Sequence, residues 1–474
     1  MSVEMMLLAI AVVGGFYMAW SIGANDVANA MGTSVGSGAL TIKRAVIVAG
    51  VLEFAGAFLV GTHVSETIRK GIINPDIFVG QPLVLVYGMI GALLSAAVWL
   101  QIASYFGWPV STTHSIVGAV LGFGVMIGGV EAADWAKVAS VVSSWVVSPL
   151  LSGSIAFAIF TLLRRLIYYS DDPIQAAKRI TPFIVFLVFL VLTLTMVFKG
   201  LKNLSLNLNF FEALLTASIV GVIASFFSVF LVRRIHPAQI EERVYMKQPV
   251  SVGKGLAKAI KKLEKVSDEA RGEVSGQLKT LVNDLHAVEA GVKRGMTEER
   301  GSAEYKTVQR VFVYLQILSA AFVAFAHGAN DVANAVGPLA AVITVLKTST
   351  VLMQTAVPLW VLGLGGLGIV IGLATWGWRV MMTIGKKITE LTPTRGFSAE
   401  FAAATTIVVA SKLGLPISTT HTLVGGVLGV GLARGIGALN LRVILDIVIS
   451  WVITIPVGAL GAIIFYYLLS GLFG

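Results

Sequence analysis

The sequence predicts an all-α polytopic membrane protein with about 12 transmembrane segments, and composition and patterning both support this fold class. The chain has 474 residues, of which 56% are hydrophobic and 13% charged, and its mean hydropathy is +0.86. Soluble domains carry about 25% charged residues. Apolar runs as long as a membrane helix recur along most of the chain, whereas a β-barrel would show short alternating segments.

The candidate spans can be read along the chain in order. They lie near residues 5–30, 43–62, 82–106, 135–162, 181–199, 211–232, 311–336, 339–362, 365–384, 399–412 and 440–471. Shorter apolar pieces follow Pro109 and Pro416. The first run, from Met5 to Trp20, lacks the basic n-region of a signal peptide, so we interpret it as a retained helix.

One polar stretch, residues 236–310, interrupts the apolar chain. Between Lys254 and Val292, apolar residues recur at helical spacing among Lys and Glu, which predicts an amphipathic helical hairpin or pair in water. Arg233 and Arg234 precede it, and Lys and Arg are enriched in cytoplasmic loops. We therefore expect a soluble cytoplasmic insert with a regulatory or dimer-forming role.

The composition also excludes some functions. The chain has no cysteine, which excludes disulfides, thiolate metal sites and cysteine nucleophiles. Its formal charge is +10 at pH 7, but in a membrane protein this excess marks cytoplasmic loops and does not indicate nucleic acid. The 50 glycines fit close helix packing and broken helices.

Three motifs occur twice, in the same order and at nearly one offset. They are GANDVANA at 23 and 328, PVSTTHSIVG at 109 with PISTTHTLVG at 416, and SW at 144 and 450. This indicates duplication of a unit of about 150 residues. Duplicated halves are typical of secondary transporters, whose substrate site lies near mid-membrane between the halves.

The duplication divides the chain into four parts. These are transmembrane repeat 1 (1–165), connecting transmembrane helices (166–235), the soluble cytoplasmic helical insert (236–310) and transmembrane repeat 2 (311–474). We expect the two repeats to be inverted in the membrane and to contain broken helices or helical hairpins.

The repeated acidic motif predicts a cation site. An ionised Asp at the centre of a membrane helix costs about 2.5–3.5 kcal/mol on insertion scales, so it must face a cavity or a counter-charge. Neighbouring glycines and Pro338 permit a break that frees backbone carbonyls, and these hard oxygen ligands suit Na⁺ better than zinc or copper. The predicted ligands are Asn25, Asp26, Asn29, Asn330, Asp331 and Asn334.

The repeated hydroxyl motif predicts an anion site. Pro followed by Ser-Thr-Thr is a helix-start signature, and a helix that starts inside the membrane offers unpaired N–H groups to an oxyanion. Ordinary helix capping is the alternative. The residues predicted to bind the oxyanion are Ser111, Thr112, Thr113, Ser418, Thr419 and Thr420.

Further polar residues in the apolar segments have less defined roles. Glu53 and Glu400 are single acids in otherwise apolar segments, and we interpret them as further cation ligands, with pairing to Lys or Arg at a gate as the alternative. His114 and His421 follow the hydroxyls, and we interpret them as gating or support residues, with an ordinary buried core histidine as the alternative. His327 precedes the second acidic motif, but Ile22 stands at the equivalent place, which makes it a weak candidate.

These paired motifs, together with VSETIRKGI at Val64 to Ile72, closely resemble the inorganic phosphate transporter (PiT) family. The resemblance implies an inverted-repeat transport domain with phosphate and Na⁺ at its centre. It also implies that Asp26 and Asp331 correspond to the acids of the family's motif, and Glu53 and Glu400 to its intramembrane glutamates. The Ser-Thr-Thr hydroxyls of the family correspond to residues 111–113 and 418–420.

The leading hypothesis is Na⁺-coupled symport of inorganic phosphate by alternating access across the cytoplasmic (inner) membrane, without enzymatic activity. Proton coupling, sulfate transport and a channel remain open. An intramembrane hydrolase using Ser111 or Thr112, His114 and Asp26 is least favoured, because two identical triads are not needed for hydrolysis. Assembly as a homodimer in the bilayer is also open.

Overall fold

The computed structural model describes residues 2–61, 73, 75–197, 208–234, 250–298, 303–351, 357–412 and 417–474. Fifteen α-helices lie within these ranges. Ahead of the insert these are α1 (Val3–Gly36), α2 (Ile42–Val60), α3 (Pro82–Phe106), α4 (Thr112–Gly128), α5 (Trp135–Leu163), α6 (Pro173–Thr195) and α7 (Phe210–Arg233). From the insert onwards they are α8 (Val250–Glu269), α9 (Glu273–Glu298), α10 (Ala303–Thr348), α11 (Leu359–Thr375), α12 (Trp378–Met382), α13 (Pro393–Lys412), α14 (Thr419–Arg434) and α15 (Leu441–Phe473).

The lengths and composition of these helices confirm the polytopic membrane fold. Within the described residues, seven helices are long and apolar enough to cross a bilayer, namely α1, α3, α5, α6, α7, α10 and α15. A bent pair, α11 with α12 and the π-turn after it, is apolar enough to count as an eighth candidate span, with a 55° bend. The other helices of the bundle are shorter or more charged: α4 has 17 residues, and α2 contains Lys43, Arg44 and Glu53.

The helix breaks predicted at the acidic motifs are wrong. GANDVANA lies inside the uninterrupted helix α1, and its second copy lies inside α10, a single helix of 46 residues. The spans predicted at 311–336 and 339–362 are therefore not separated at Pro338, which lies within α10. Proline is tolerated inside membrane helices because neighbouring groups satisfy the freed backbone acceptor.

Close packing explains the glycines that were interpreted as break signals. Gly23 lies against the main chain of Ile369, and Gly36 lies against Gly385. At such crossings the absence of a side chain lets two backbones approach, which is the main attraction available between helices in lipid. The glycines around the motif therefore bring α1 onto the broken span α11–α12.

Broken helices do occur, but at the hydroxyl motifs. Gly107, with φ of +72°, ends α3, and Ser111 caps the start of α4 by accepting a hydrogen bond from the His114 N–H at 3.2 Å. Ser418 caps α14 in the same way through the His421 N–H, also at 3.2 Å. Each repeat thus contains a helix that begins within the bundle.

The equivalent helices of the two repeats run in opposite directions. Gly15 on α1 lies against Leu339 on α10, whereas Asp26, further along α1, contacts His327, earlier on α10. The contact positions therefore rise along one helix as they fall along the other. This antiparallel crossing is the arrangement that an inverted repeat requires.

The two repeats also exchange neighbouring helices. Gly118 on α4 faces Ile455 on α15, and the equivalent Gly425 on α14 faces Pro149 on α5. The last helix of each repeat therefore packs on the internal helix start of the other repeat. The hydrophobic core that results runs through both repeats, so neither half buries its apolar surface alone.

The connecting helices α6 and α7 form a hairpin beside this core. Gly221 on α7 faces Phe186 on α6, and the Ser225 hydroxyl donates to the Pro182 carbonyl at 2.8 Å. A second apolar cluster, which includes Val188 on α6 and Phe312 on α10, joins the hairpin to repeat 2. The hairpin therefore covers one side of the transmembrane bundle.

The described part of the insert is a pair of packed helices, α8 and α9, as the sequence pattern predicts. They are joined by a short turn at Gly272, whose φ is +67°, and His286 Nε2 lies 3.1 Å from Glu264 Oε1 across the pair. Residues 235–249 and 299–302, and the stretch from Val64 to Ile72, lie outside the described residues, whereas residues 303–310, predicted as the end of the insert, form the start of α10.

Candidate functional site

The acids of the two repeats meet at the crossing of α1 and α10. Asp26 and Asp331 are fully buried, with 0% and 1% exposure. One carboxylate oxygen from each acid and Nε2 of His327 lie within 4.8 Å of one another. Burial makes an unneutralised pair of like charges unfavourable, so this centre requires a cation or protons.

His327 occupies the middle of the cluster, a position that its sequence did not indicate. Its Nε2 lies 2.8 Å from Asp331 Oδ2 and 3.7 Å from Asp26 Oδ2, and its Nδ1 lies 3.3 Å from Glu53 Oε1. The available signal was its spacing of four residues from Asp331, which puts both on one helix face. The central cluster therefore places an imidazole beside the predicted oxygen ligands.

The cluster is asymmetric between the repeats. Gly328 faces Glu53 on α2 in the same way as Gly23 faces Ile369 on α11. The position equivalent to His327 is therefore Ile22, and the position equivalent to Glu53 is Ile369, so two isoleucines stand in place of the polar pair. The His327 imidazole has no counterpart in repeat 1, so the sides of the site that the two repeats form differ chemically.

The acidic motif of each repeat contacts the hydroxyl motif of the other. On one side, Asn29 Nδ2 donates to Thr420 Oγ1 at 2.8 Å, and Thr420 Oγ1 lies 3.1 Å from Asp26 Oδ1. On the other side, Asn334 Nδ2 donates to Thr112 Oγ1 at 3.2 Å and to Thr113 Oγ1 at 3.3 Å. The site is therefore built from both halves, with acids and hydroxyls interleaved.

Two further contacts complete this arrangement. The Thr419 hydroxyl lies 3.4 Å from Asp331 Oδ2, and Asn330 Nδ2 donates to Asp331 Oδ1 at 2.8 Å. Asn29 Oδ1 is buried and has no hydrogen-bond partner among the described residues. Together with the nearby Asp26 carboxylate, it offers the hard oxygen ligands that a small cation prefers.

Asn25 lies apart from the acids and braces the break between α3 and α4. Its Nδ2 donates to Ser104 Oγ at 3.1 Å and to the Trp108 carbonyl at 3.0 Å, and its Oδ1 accepts from the Val110 N–H at 3.2 Å. These contacts hold the start of α4 against α1. The serines at the helix starts, Ser111 and Ser418, act as caps, which leaves each hydroxyl proton free to donate.

Glu400 belongs to a separate polar cluster. Its carboxylate accepts hydrogen bonds from Thr33, Ser34 and Ser319, with the Ser34 contact at 3.0 Å. Thr33 is seven residues, or about 10 Å, along α1 from Asp26. The structure therefore groups Glu53 with the central acids and Glu400 with hydroxyls further along α1.

The two motif histidines form an aromatic stack behind the helix starts. The rings of His114 and His421 meet edge to face at 4.8 Å, and each contacts the tryptophan of its own SW dipeptide, Trp145 at 4.8 Å and Trp451 at 3.6 Å. Trp451 Nε1 also donates to the Pro109 carbonyl at 2.9 Å. The repeated SW dipeptide thus supports the helix starts.

A small cavity, in which about 40 Å³ is accessible to the centre of a water molecule, opens beside the site. Its polar wall includes Asn29, His327, Asn330 and Thr419. Its apolar wall comes from α6, α10, α13 and α14 and includes Leu192, Met196, Phe322, Phe325, Ile407 and Leu423. An ion that approaches the cluster through this cavity would therefore pass an apolar barrier next to α6.

The fold and the site define this chain as a multi-pass membrane transport protein with an inverted-repeat core. The profile of a family described as "Phosphate transporter family" matches residues 22–462. The chain belongs to that family, and it is a phosphate transporter rather than an enzyme.

Relatives and a solved structure agree with this assignment. The chain is 46% identical to "Inorganic phosphate transporter 2-1, chloroplastic" of Arabidopsis thaliana over 96% of this chain and 71% of that protein. It is 45% identical to a "Putative phosphate permease" of Chlamydia trachomatis over 99% of both chains. A solved structure described as "The sodium-dependent phosphate transporter" superposes with a TM-score of 0.77 at 38% identity, covering 98% of this chain and 99% of that one.

Proposed function

We propose that the protein couples Na⁺ to the symport of inorganic phosphate by alternating access. One observation carries this proposal: each acidic motif contacts the hydroxyl motif of the opposite repeat, as in the contacts of Asn29 with Thr420 and of Asn334 with Thr112. A cation site and an anion site built from the same two interfaces are suited to binding both ions together. The similar solved structure is that of a sodium-dependent transporter, which supports Na⁺ as the cation.

The contacts also supply a physical reason for coupling. Thr420 lies within hydrogen-bond distance of Asp26, and Thr419 donates to Asp331. A Na⁺ bound to the carboxylates would weaken these contacts and release the hydroxyls as donors. It would also cancel negative charge that repels phosphate, so phosphate affinity should rise with Na⁺.

In this proposal Asp26, Asn29 and Asp331 ligate Na⁺, with Asn330 and Asn334 as supporting ligands. Hydroxyls and N–H groups of Thr112, Thr113, Thr419, Thr420 and the capping serines bind phosphate. Glu53 acts beside His327, and Glu400 contributes a second polar site. The protein acts in the cytoplasmic membrane with its insert in the cytoplasm, following the excess of Lys and Arg near the insert.

The test is phosphate uptake into proteoliposomes that contain the purified protein. Uptake should fall to the protein-free level when choline replaces Na⁺ at fixed pH. Unchanged uptake would contradict Na⁺ coupling, and recovery on acidification in choline would favour proton coupling. Unlabelled sulfate should compete poorly with labelled phosphate, because sulfate at neutral pH has no proton to donate to the site acids.

A further inference from the structure

Helix α8 of the insert carries a stripe of lysines that the described part of the chain does not neutralise. Lys258, Lys261, Lys262 and Lys265 are spaced by three, one and three residues, which puts them on one side of a helix. All four side chains are exposed, and within the described residues none of them forms an ion pair. We call these four residues the lysine face.

The lysine face points away from the rest of the insert. Leu256, Ile260 and Ser267 are less exposed than the lysines, with Ile260 at 5% exposure, and their spacing puts them on the opposite side of α8, against α9. The acid Glu264 pairs with His286 across the hairpin at 3.1 Å. Packing therefore turns the positive charge outward.

The insert is also held close to the membrane. Only four residues, 299–302, separate the end of α9 from the start of α10, and they span at most about 18 Å. The apolar part of α10 starts near Val311, eight residues after Ala303, which adds about 12 Å of helix. Glu298, at the end of α9, therefore stays within about 30 Å of the hydrocarbon boundary, which is close enough for the hairpin to lie along the membrane surface.

We propose that the lysine face docks on the surface of the membrane in which the protein lies, with anionic phospholipid headgroups as its ligand. Lysines clustered on an amphipathic helix that is tethered to the membrane are attracted to an anionic leaflet. Val266, which is 51% exposed and follows the last lysine of the stripe, can enter the apolar boundary beside the headgroups.

Two dependences follow from this docking. Each lysine contributes through its charge, so the ratio of docked to undocked insert should fall roughly fivefold for each lysine neutralised. The attraction is also screened, because the Debye length shrinks from about 8 Å at physiological salt to about 3 Å at 1 M. Docking should therefore be strong in anionic lipid at low salt and weak in zwitterionic lipid or high salt.

The experiment measures the distance between α8 and the lipid surface in the full-length protein. Since the chain has no cysteine, Glu269→Cys gives a single site for a donor dye at the end of α8, and the acceptor dye is carried by a trace of labelled lipid headgroups. The protein is placed in nanodiscs of phosphatidylcholine alone or with phosphatidylglycerol, so that both leaflets have one composition. A second label at Ala287→Cys, an exposed position of α9, is the control.

We expect energy transfer from residue 269 to rise with phosphatidylglycerol and to fall again in 1 M salt. Replacing all four lysines by Gln should abolish this rise, whereas replacing them by Arg should keep it. The Ala287 label should change much less. Equal energy transfer in the two lipid mixtures, or a rise that persists in the Gln variant, would overturn the proposal. The lysine face would then be exposed to solvent or bind an acidic protein.

Discussion

At the scale of single residues, the central problem is how buried carboxylates coexist. Asp26 and Asp331 share a buried site with His327, whose two ring nitrogens both face carboxylates. Neutral imidazole donates through only one nitrogen, so a proton or a cation must satisfy the other contact. The site is therefore arranged to take up positive charge, as the proposed Na⁺ coupling requires.

Removing either central carboxylate should abolish cation-coupled transport. Asp26→Asn and Asp331→Asn keep the side-chain size but remove the charge that attracts the cation, so phosphate uptake should fall by at least about 100-fold, the size of a lost 3 kcal/mol interaction. The measurement is labelled phosphate uptake under a Na⁺ gradient. Asp446→Asn, at an exposed position of α15, is the matched control, and a variant with normal uptake would remove that acid from the mechanism.

His327 should matter to folding as well as to transport. His327→Leu removes the ion-pair partner of both Asp331 and Glu53, and removing one partner of a buried ion pair costs about 3–5 kcal/mol. We expect a lower melting temperature in detergent, with partial recovery in His327→Gln, which can still donate a hydrogen bond. Equal melting temperatures for His327→Leu and the parent would show that these contacts add no stability.

At the scale of helices, small residues decide where elements cross. Gly23 on α1 and Gly328 on α10 each face the main chain of a neighbouring helix, at Ile369 and at Glu53. Each crossing places the acidic motif that follows the glycine in contact with the opposite repeat. The same glycines were interpreted from sequence as signs of a break, since glycine permits both a break and a close approach.

The crossing at Gly23 gives a direct test of this packing. A Cβ at Gly23 would overlap the Ile369 backbone, whereas a Cβ at Gly50 on α2 would meet only Val370 Cγ1 at 3.5 Å, an ordinary contact. Gly23→Ala should destabilise the protein by about 1–3 kcal/mol through overpacking. Gly50→Ala should be neutral or stabilising by up to about 1 kcal/mol, and equal thermal stability of the two variants would contradict the crossing.

At the scale of the whole molecule, two antiparallel repeats enclose a site that one side hairpin covers. Leu192 on α6 lines the apolar wall of the cavity and is 7% exposed. If the repeats move around the loaded site, the contact between α6 and this wall must change during transport. The connecting hairpin is then part of the barrier that opens and closes.

The exposure of Leu192 during turnover can be measured with a cysteine reagent. Because the chain has no cysteine, Leu192→Cys would react alone with a charged thiosulfonate. We expect the cysteine to react slowly without substrates and at least about tenfold faster with Na⁺ and phosphate together. The rate should rise because the substrates increase the fraction of molecules in the open state. Glu131→Cys, an exposed position outside the spans, should react at a constant rate, and a constant rate at residue 192 would exclude a moving barrier there.

The insert should be dispensable for coupling. The two repeats build the site without residues of α8 or α9, so replacing 250–298 by a flexible Gly-Ser linker should leave Na⁺-dependent uptake within about twofold, since loops of different length differ little in closure entropy. A loss of tenfold or more, with normal amounts of folded protein, would show that the insert takes part in transport. The lysine face would then act on the repeats as well as on lipid.

Sequence alone determined the membrane class, the duplication and the acid and hydroxyl motifs, because hydropathy, repetition and residue chemistry are local properties of the chain. It did not reveal the continuous helix through Asp26, since glycine occurs both where a helix breaks and where two helices pack closely. It also undervalued His327, whose partners lie on α1 and α2. Only the tertiary structure decided these points, because contacts between residues as distant in the chain as Asp26 and His327 depend on how antiparallel helices cross.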